Sequence, residues 1–151
     1  MPLSAARETA QMQETRFLEV VFPDRANHYG TLFGGNALCL MGKAAFIAAT
    51  RHARCNVVMA TSDKIEFHEP IAVGELIELV ARIVREGVTS MTVFVEIIRE
   101  NPVSGVRRSA AQGRFEMVAV DDDGRPVSFV NKTGRKTPAS DAIQASKETL
   151  S

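Results

Sequence analysis

Hydrophobic and polar positions change their period once along this chain. Arg16-Phe17-Leu18-Glu19-Val20-Val21-Phe22 reads as a strand stopped by Pro23, and residues 23–26 read as a turn. A polar, glycine-bearing loop over residues 27–35 follows. From Ala37 onward Leu38, Leu40, Met41, Ala44, Ala45, Ile47, Ala48 and Ala49 surround most of a helix, the pattern of a buried helix more than a half-exposed one. Asn36 is the expected N-cap, and no proline interrupts the run before Pro70. Gly42 lies mid-helix, where glycine costs about 1 kcal/mol relative to alanine.

Downstream the period shortens from helical to alternating. Residues 57–68, 75–85, 89–100 and 106–120 read as four long strands. They are punctuated by Glu69-Pro70, Glu86-Gly87-Val88 and Asn101-Pro102-Val103-Ser104-Gly105. Short turns predict antiparallel neighbours. Gly113, inside the last strand, marks a place where another element approaches closely. The order predicts an α+β protein in which one antiparallel sheet of about five strands wraps around one long helix. The expected organisation is a flexible lead-in over residues 1–15, a single domain over 16–130 and a polar tail over 131–151 without a hydrophobic period.

Composition narrows the function classes. A length of 151 residues suits one core. Eighteen basic residues balance eighteen acidic ones, so no overall field favours nucleic acid or an anionic membrane. No apolar run approaches the ~20 residues of a membrane-spanning helix. The start of the chain carries Arg7, Glu8 and Glu14 in place of an apolar leader core, so the expected address is cytoplasmic. Cys39 and Cys55 belong to no Cys-x-x-Cys or Cys/His cluster, the usage of a reducing compartment.

Candidate chemistry gathers in the loop before the helix. Gly34 and Gly35 sit where a helix start presents unpaired N–H groups to an anion or a polarised oxygen. The same glycines also suit a tight loop-to-helix turn. Asn27 fits either an active-site amide or an Asx turn, and His28 either a base near neutral pH or a surface histidine. On simple alternation Asp63 shares a face with Met59, Ile65 and Phe67, an apolar phase on which a carboxylate is costly without a partner or a use. Glu66 and His68 alternate on the other face but lack a third ligand, so no metal site is expected. Gly-x-Ser-x-Gly, Gly-x-Gly-x-x-Gly and Walker patterns are absent.

Several ordered motifs together resemble the acyl-CoA hydrolase branch of the hotdog-fold thioesterases. They are Pro23-Asp24, the stretch Asn27-His28-Tyr29-Gly30-Thr31-Leu32-Phe33-Gly34-Gly35-Asn36 and Asp63-Lys64-Ile65-Glu66-Phe67-His68-Glu69-Pro70. Val73-Gly74-Glu75, Gly87-Val88-Thr89-Ser90-Met91 and Phe115-Glu116-Met117-Val118-Ala119-Val120-Asp121 complete the set. The resemblance covers about residues 16–130. It implies a hotdog fold, dimers as the minimal unit and trimers or pairs of dimers above that. It also implies an acyl-CoA substrate split by water without metal or redox cofactor, coenzyme A entering only as part of the substrate.

By the same resemblance Asn27 and the N–H groups of Gly35 and Asn36 polarise the thioester carbonyl. Phe33 and Gly34 complete the substrate-binding stretch, Thr89 and Ser90 hold the CoA portion, and Asp63 orients the water, with His28, at a position where the family varies, as the lesser candidate from its own chemistry. Arg82, Arg85, Arg107 and Arg108 are candidates for the CoA phosphates without a choice among them. One departure stands out: where many members carry a Met-Asp pair on the helix, Met41 is followed by Gly42. The alternative is therefore an acyl-CoA or acyl-carrier binding protein whose hydrolysis is impaired.

Overall fold

A computed structural model of the protein describes residues 14–129. The expected tail, and the lead-in before Glu14, lie outside the described residues. Strand β1 (Glu14–Val20) is followed by a short 3-10 turn at Pro23–Arg25 and by helix α1 (Gly34–Ala53). Strands β2 (Asn56–Phe67), β3 (Leu76–Glu86), β4 (Ser90–Glu100) and β5 (Arg107–Val120) complete one antiparallel sheet in the order β1-β3-β4-β5-β2.

That order corrects one expectation. Successive strands pair only from β3 to β5, whereas β2 crosses the whole sheet to pair with β5. The connection over residues 68–75 is no tight turn. It is tied to the loop before α1, with Leu32 N–H donating to the Ile71 carbonyl (2.7 Å) and Val73 N–H to that of Gly30 (3.0 Å). Its far end is held to β1, since Gly74 N–H donates to the Val21 carbonyl (2.8 Å).

The sheet curls around α1 because its inner face is apolar at every second position. Ile77, Leu79 and Ala81 of β3, Met91, Val93, Val95 and Ile97 of β4, and Phe115, Met117 and Ala119 of β5 are all buried. Facing them on α1 are mostly small side chains, Ala37, Ala44, Ala45, Ala48, Ala49 and Ala53, with Leu40 and Met41. Small residues let a helix lie close to a sheet. Gly113 plays the expected part, since a Cβ there would collide with the Ile65 side chain and crowd that of Met41.

Charge covers the outer face. Glu78 accepts from Arg16 Nη1 (2.8 Å) and from Arg107, and Arg107 Nη1 reaches Glu100 (2.8 Å), so one ladder staples β1, β3, β4 and β5. The hydrogen bond from Arg107, then that from Arg16, holds the Glu78 carboxyl below the ordinary glutamate value. A carboxyl with a depressed folded-state pKa stabilises the fold above its unfolded pKa, and that contribution is lost as pH falls through the folded value. Urea unfolding should therefore show the wild type losing stability below about pH 4.5. Glu78→Gln should be less stable at pH 7 and lose less on acidification. Parallel pH dependence of the two proteins would refute the ladder's role.

Candidate active site at the start of the helix

The loop before α1 is built around one side chain. Asn27 Oδ1 accepts from the N–H groups of Tyr29 (3.0 Å) and Thr31 (3.2 Å) and from Thr31 Oγ1 (3.1 Å). Its backbone N–H donates to the Thr31 carbonyl (2.8 Å), and Gly30 takes the positive φ of +78° that closes the turn. Three donors on one oxygen fix the amide's orientation and leave its NH2 group with no protein acceptor among the described residues. The Asx turn is therefore formed, and it leaves the amide donor available.

The helix begins earlier than composition suggests. Its N-cap is Phe33, with φ −65° and ψ 134°, in place of the expected Asn36. Asn36 already lies in the first turn, and its Nδ2 donates to the Arg25 carbonyl (3.0 Å), which also accepts from Phe33 N–H (3.0 Å). The first helical bond runs from Ala37 N–H to the Phe33 carbonyl (3.0 Å), so the N–H groups of Gly34, Gly35 and Asn36 precede it. No acidic side chain occupies this turn, so the positive end of the helix dipole is left uncompensated. Gly35 has a second reason to be glycine, because a Cβ there would stand 2.7 Å from the Phe33 ring.

The first residue of this turn, Gly34, lines a cleft of about 320 Å³ together with Leu32, Ala37, Phe67, Pro70 and Ile71. Its lining is mostly apolar and also includes His68 and Glu69. Phe33 is 55% exposed beside it. A cleft of this kind offers apolar surface to an acyl chain and N–H groups to a carbonyl oxygen. His28 is exposed, its ring 3.9 Å from that of Tyr29, out on the surface of the loop.

Asp63 does not stand where simple alternation put it. β2 has register shifts between Met59 and Thr61 and again between Asp63 and Glu66. The first reverses the phase, so that Ser62 pairs with buried Phe115 while Asp63 pairs with exposed Arg114 on the outer face. The second, where Lys64 has φ +51°, restores it, and Ile65 returns to the core side. Asp63 Oδ1 accepts from Lys64 N–H (2.7 Å) and lines an outer-face hollow with Arg85, Arg114 and Glu116. Within one protomer it is separated from α1 by the sheet.

Thr89 and Ser90 are likewise distant. Ser90 opens β4 and Thr89 directly precedes it, whereas the cleft lies beside the 68–75 connection, at the end of the sheet where β4 closes. Eleven residues of extended strand span roughly 35 Å. Of the four arginines considered, Arg107 is held by Glu78 and Glu100, Arg85 faces Glu116, and Arg82 lies over the Phe94 ring. Arg108 meets Glu69 (3.2 Å) with its side chain 61% exposed. Sequence reasoning missed Thr31, whose hydroxyl braces Asn27, and the Arg25 carbonyl that ties down the helix start. A main-chain acceptor carries no signature in residue type. Phe67 and Ile71, the cleft walls, could have been found from their place around Pro70.

The family model described as the thioesterase superfamily matches residues 29–106, and the chain belongs to that family. A Bacillus subtilis protein named as an uncharacterized acyl-CoA thioester hydrolase is 35% identical over 122 residues, covering 80% of this chain and 71% of that protein. Among solved structures, an apo-hexameric acyl-CoA thioesterase superposes with a TM-score of 0.76 at 34% identity, over 78% of this chain and 76% of that one. An acyl-CoA hydrolase from Staphylococcus aureus, solved with butyryl coenzyme A, coenzyme A and coenzyme A disulfide, gives 0.75 at 28% identity over 93% and 94%. The sheet wrapped around one helix is the hotdog fold of these thioesterases.

Proposed function

We propose that this protein hydrolyses acyl-CoA thioesters to a free carboxylic acid and coenzyme A by attack of water. The observation that carries the reading is a helix start whose Gly34, Gly35 and Asn36 N–H groups precede the first helical bond and whose first residue, Gly34, lines the apolar cleft, with the Asn27 amide donor on the adjoining loop. Water adds to the thioester carbon, the carbonyl oxygen gains negative charge, and fixed donors stabilise it more than they stabilise the neutral carbonyl. The sulfur then leaves as the CoA thiolate. This chemistry needs a polarised carbonyl and an oriented water, and we assign it no metal or redox cofactor.

The working unit is a homo-oligomer with sites between copies. β2 is an edge strand and almost wholly exposed, and Met59 and Phe67 on it and Leu38 and Phe46 of α1 leave apolar surface uncovered. A two-fold axis at that edge would run β2 antiparallel to its copy. It would then lay the Thr89–Ser90 end of one protomer beside the helix start of the other. The resemblance assigns both segments to one site, and a single protomer keeps them apart. The hexameric thioesterase among the structural neighbours is consistent with dimers assembled further. The address we assign is cytoplasmic, from a cysteine usage without Cys-x-x-Cys or Cys/His clusters.

A second reading, acyl-CoA binding without hydrolysis, is favoured by Gly42 alone. Release of free CoA thiol from a panel of acyl-CoAs of graded chain length separates the two. Turnover above the uncatalysed rate is expected for at least one acyl length. Tight CoA binding by calorimetry with no turnover on any member would overturn the hydrolase reading.

A further inference from the structure

Gly42 occupies the middle of α1, four residues after Leu38 and four before Phe46, so the three share one face of the helix. Leu38 and Phe46 are 39% and 47% exposed, so the protomer's own sheet covers this stripe only in part. Nothing about exposure requires glycine in such a position, and glycine there is unfavourable for the helix. What stands opposite is Met59 of β2. A Cβ built on Gly42 would lie 3.1 Å from Met59 Cε, closer than ordinary van der Waals contact, with no other atom of the surroundings within 4 Å.

We propose that Met59 is a positioning residue that closes helix position 42 to the reaction. Its thioether tip occupies the space in which a side chain at 42, or a water held by one, would stand. The inference rests on the hydrolase reading for its consequence, though not for its geometry. A methionine methyl group can shift by a few tenths of an ångström to admit a bare Cβ, because the side chain is long and unbranched. A carboxyl or carboxamide group extends further into the same space, so Met59, which is 45% exposed, must swing aside to admit it. Gly42 and Met59 therefore work as a pair, and a carboxylate placed at 42, where the resembled family carries the Asp of its Met-Asp pair, has its effect only when Met59 is also shortened. The water that attacks the thioester in the native protein is oriented without help from this helix position.

A double-mutant cycle tests this at two levels. For geometry, thermal unfolding of Gly42→Asn is compared in the native and Met59→Ala backgrounds. The expected result is a lower melting temperature in the native background, by a few degrees, and none of that loss in the Met59→Ala background. Equal shifts in both backgrounds would overturn the proposal, and this arm needs no turnover. For chemistry, kcat is measured for Gly42→Asp and Gly42→Asn in both backgrounds. Asp is expected to raise kcat about tenfold or more only together with Met59→Ala, with KM little changed and Asn giving no gain. A full gain from Gly42→Asp alone would overturn it, as would no gain in a folded double variant of an enzyme that itself turns over. An inactive native protein with coupled melting shifts would instead fail the hydrolase reading and leave the steric pairing standing.

Discussion

Asn27→Asp is expected to fold as the native protein does and to lose acyl-CoA turnover by about two to three orders of magnitude in kcat/KM. The substitution separates two jobs that one amide performs. Its oxygen holds the loop by accepting from Tyr29 N–H, Thr31 N–H and the Thr31 hydroxyl. A carboxylate accepts the same three bonds, so the turn that leads to the helix start is preserved. The amide NH2, in contrast, is replaced by a charged oxygen, which on the proposed mechanism faces the thioester oxygen as it becomes negative. A donor is lost and a repulsion is added, and both act on the transition state more than on the bound substrate. Asn27→Ala removes the acceptor as well, so it should lower the melting temperature where Asp does not. Steady-state kinetics with thermal unfolding of both variants make the check. Undiminished kcat/KM in the Asp variant would confine Asn27 to shaping the loop.

The elements were legible because their apolar periods are strong, and every strand and the helix fall within a few residues of the pattern. The pairing of those strands was less so. Residues 68–75 look like a break between neighbouring strands, yet hydrogen bonds to Leu32, Gly30 and Val21 make them a connection across the sheet. No local preference encodes such long-range partners. Asp63 illustrates a different limit. Strict alternation carried from Met59 places it against the helix, and a single extra residue near Ala60 turns it outward. Asn36 has the composition of a cap, but two glycines before it can already be helical, and its amide is drawn to the Arg25 carbonyl. The loop motif was visible as a motif. Its mechanics, three donors on one oxygen and two on one carbonyl, emerge only from the fold.

Phe46→Glu should reduce the protein to monomers and remove most of its turnover, the largest effect expected of any single surface change. In one protomer Phe46 is 47% exposed on the face of α1 that also carries Leu38 and Gly42, next to the open edge of β2. A large aromatic in that position contributes little to the protomer's own core, so a charged replacement leaves the sheet and helix intact. Buried between copies, each phenylalanine is worth about 1.5–3 kcal/mol. A two-fold interface contains the residue twice, so both contributions vanish together. A glutamate buried there would also lack a partner and oppose association. Light scattering should find the native protein at a multiple of 16.5 kDa and the variant at that mass. Circular dichroism should be unchanged. Turnover should fall by about a hundredfold or more, because the helix start of one copy would lose whatever the other copy supplies to the site. A monomeric variant with full activity would place the entire site within one protomer, and an assembled variant would move the interface away from this face. The Asn27 and Phe46 variants thus fail differently. The first leaves the assembly whole and stops the chemistry within it, whereas the second removes the neighbour and leaves the helix-start donors facing water.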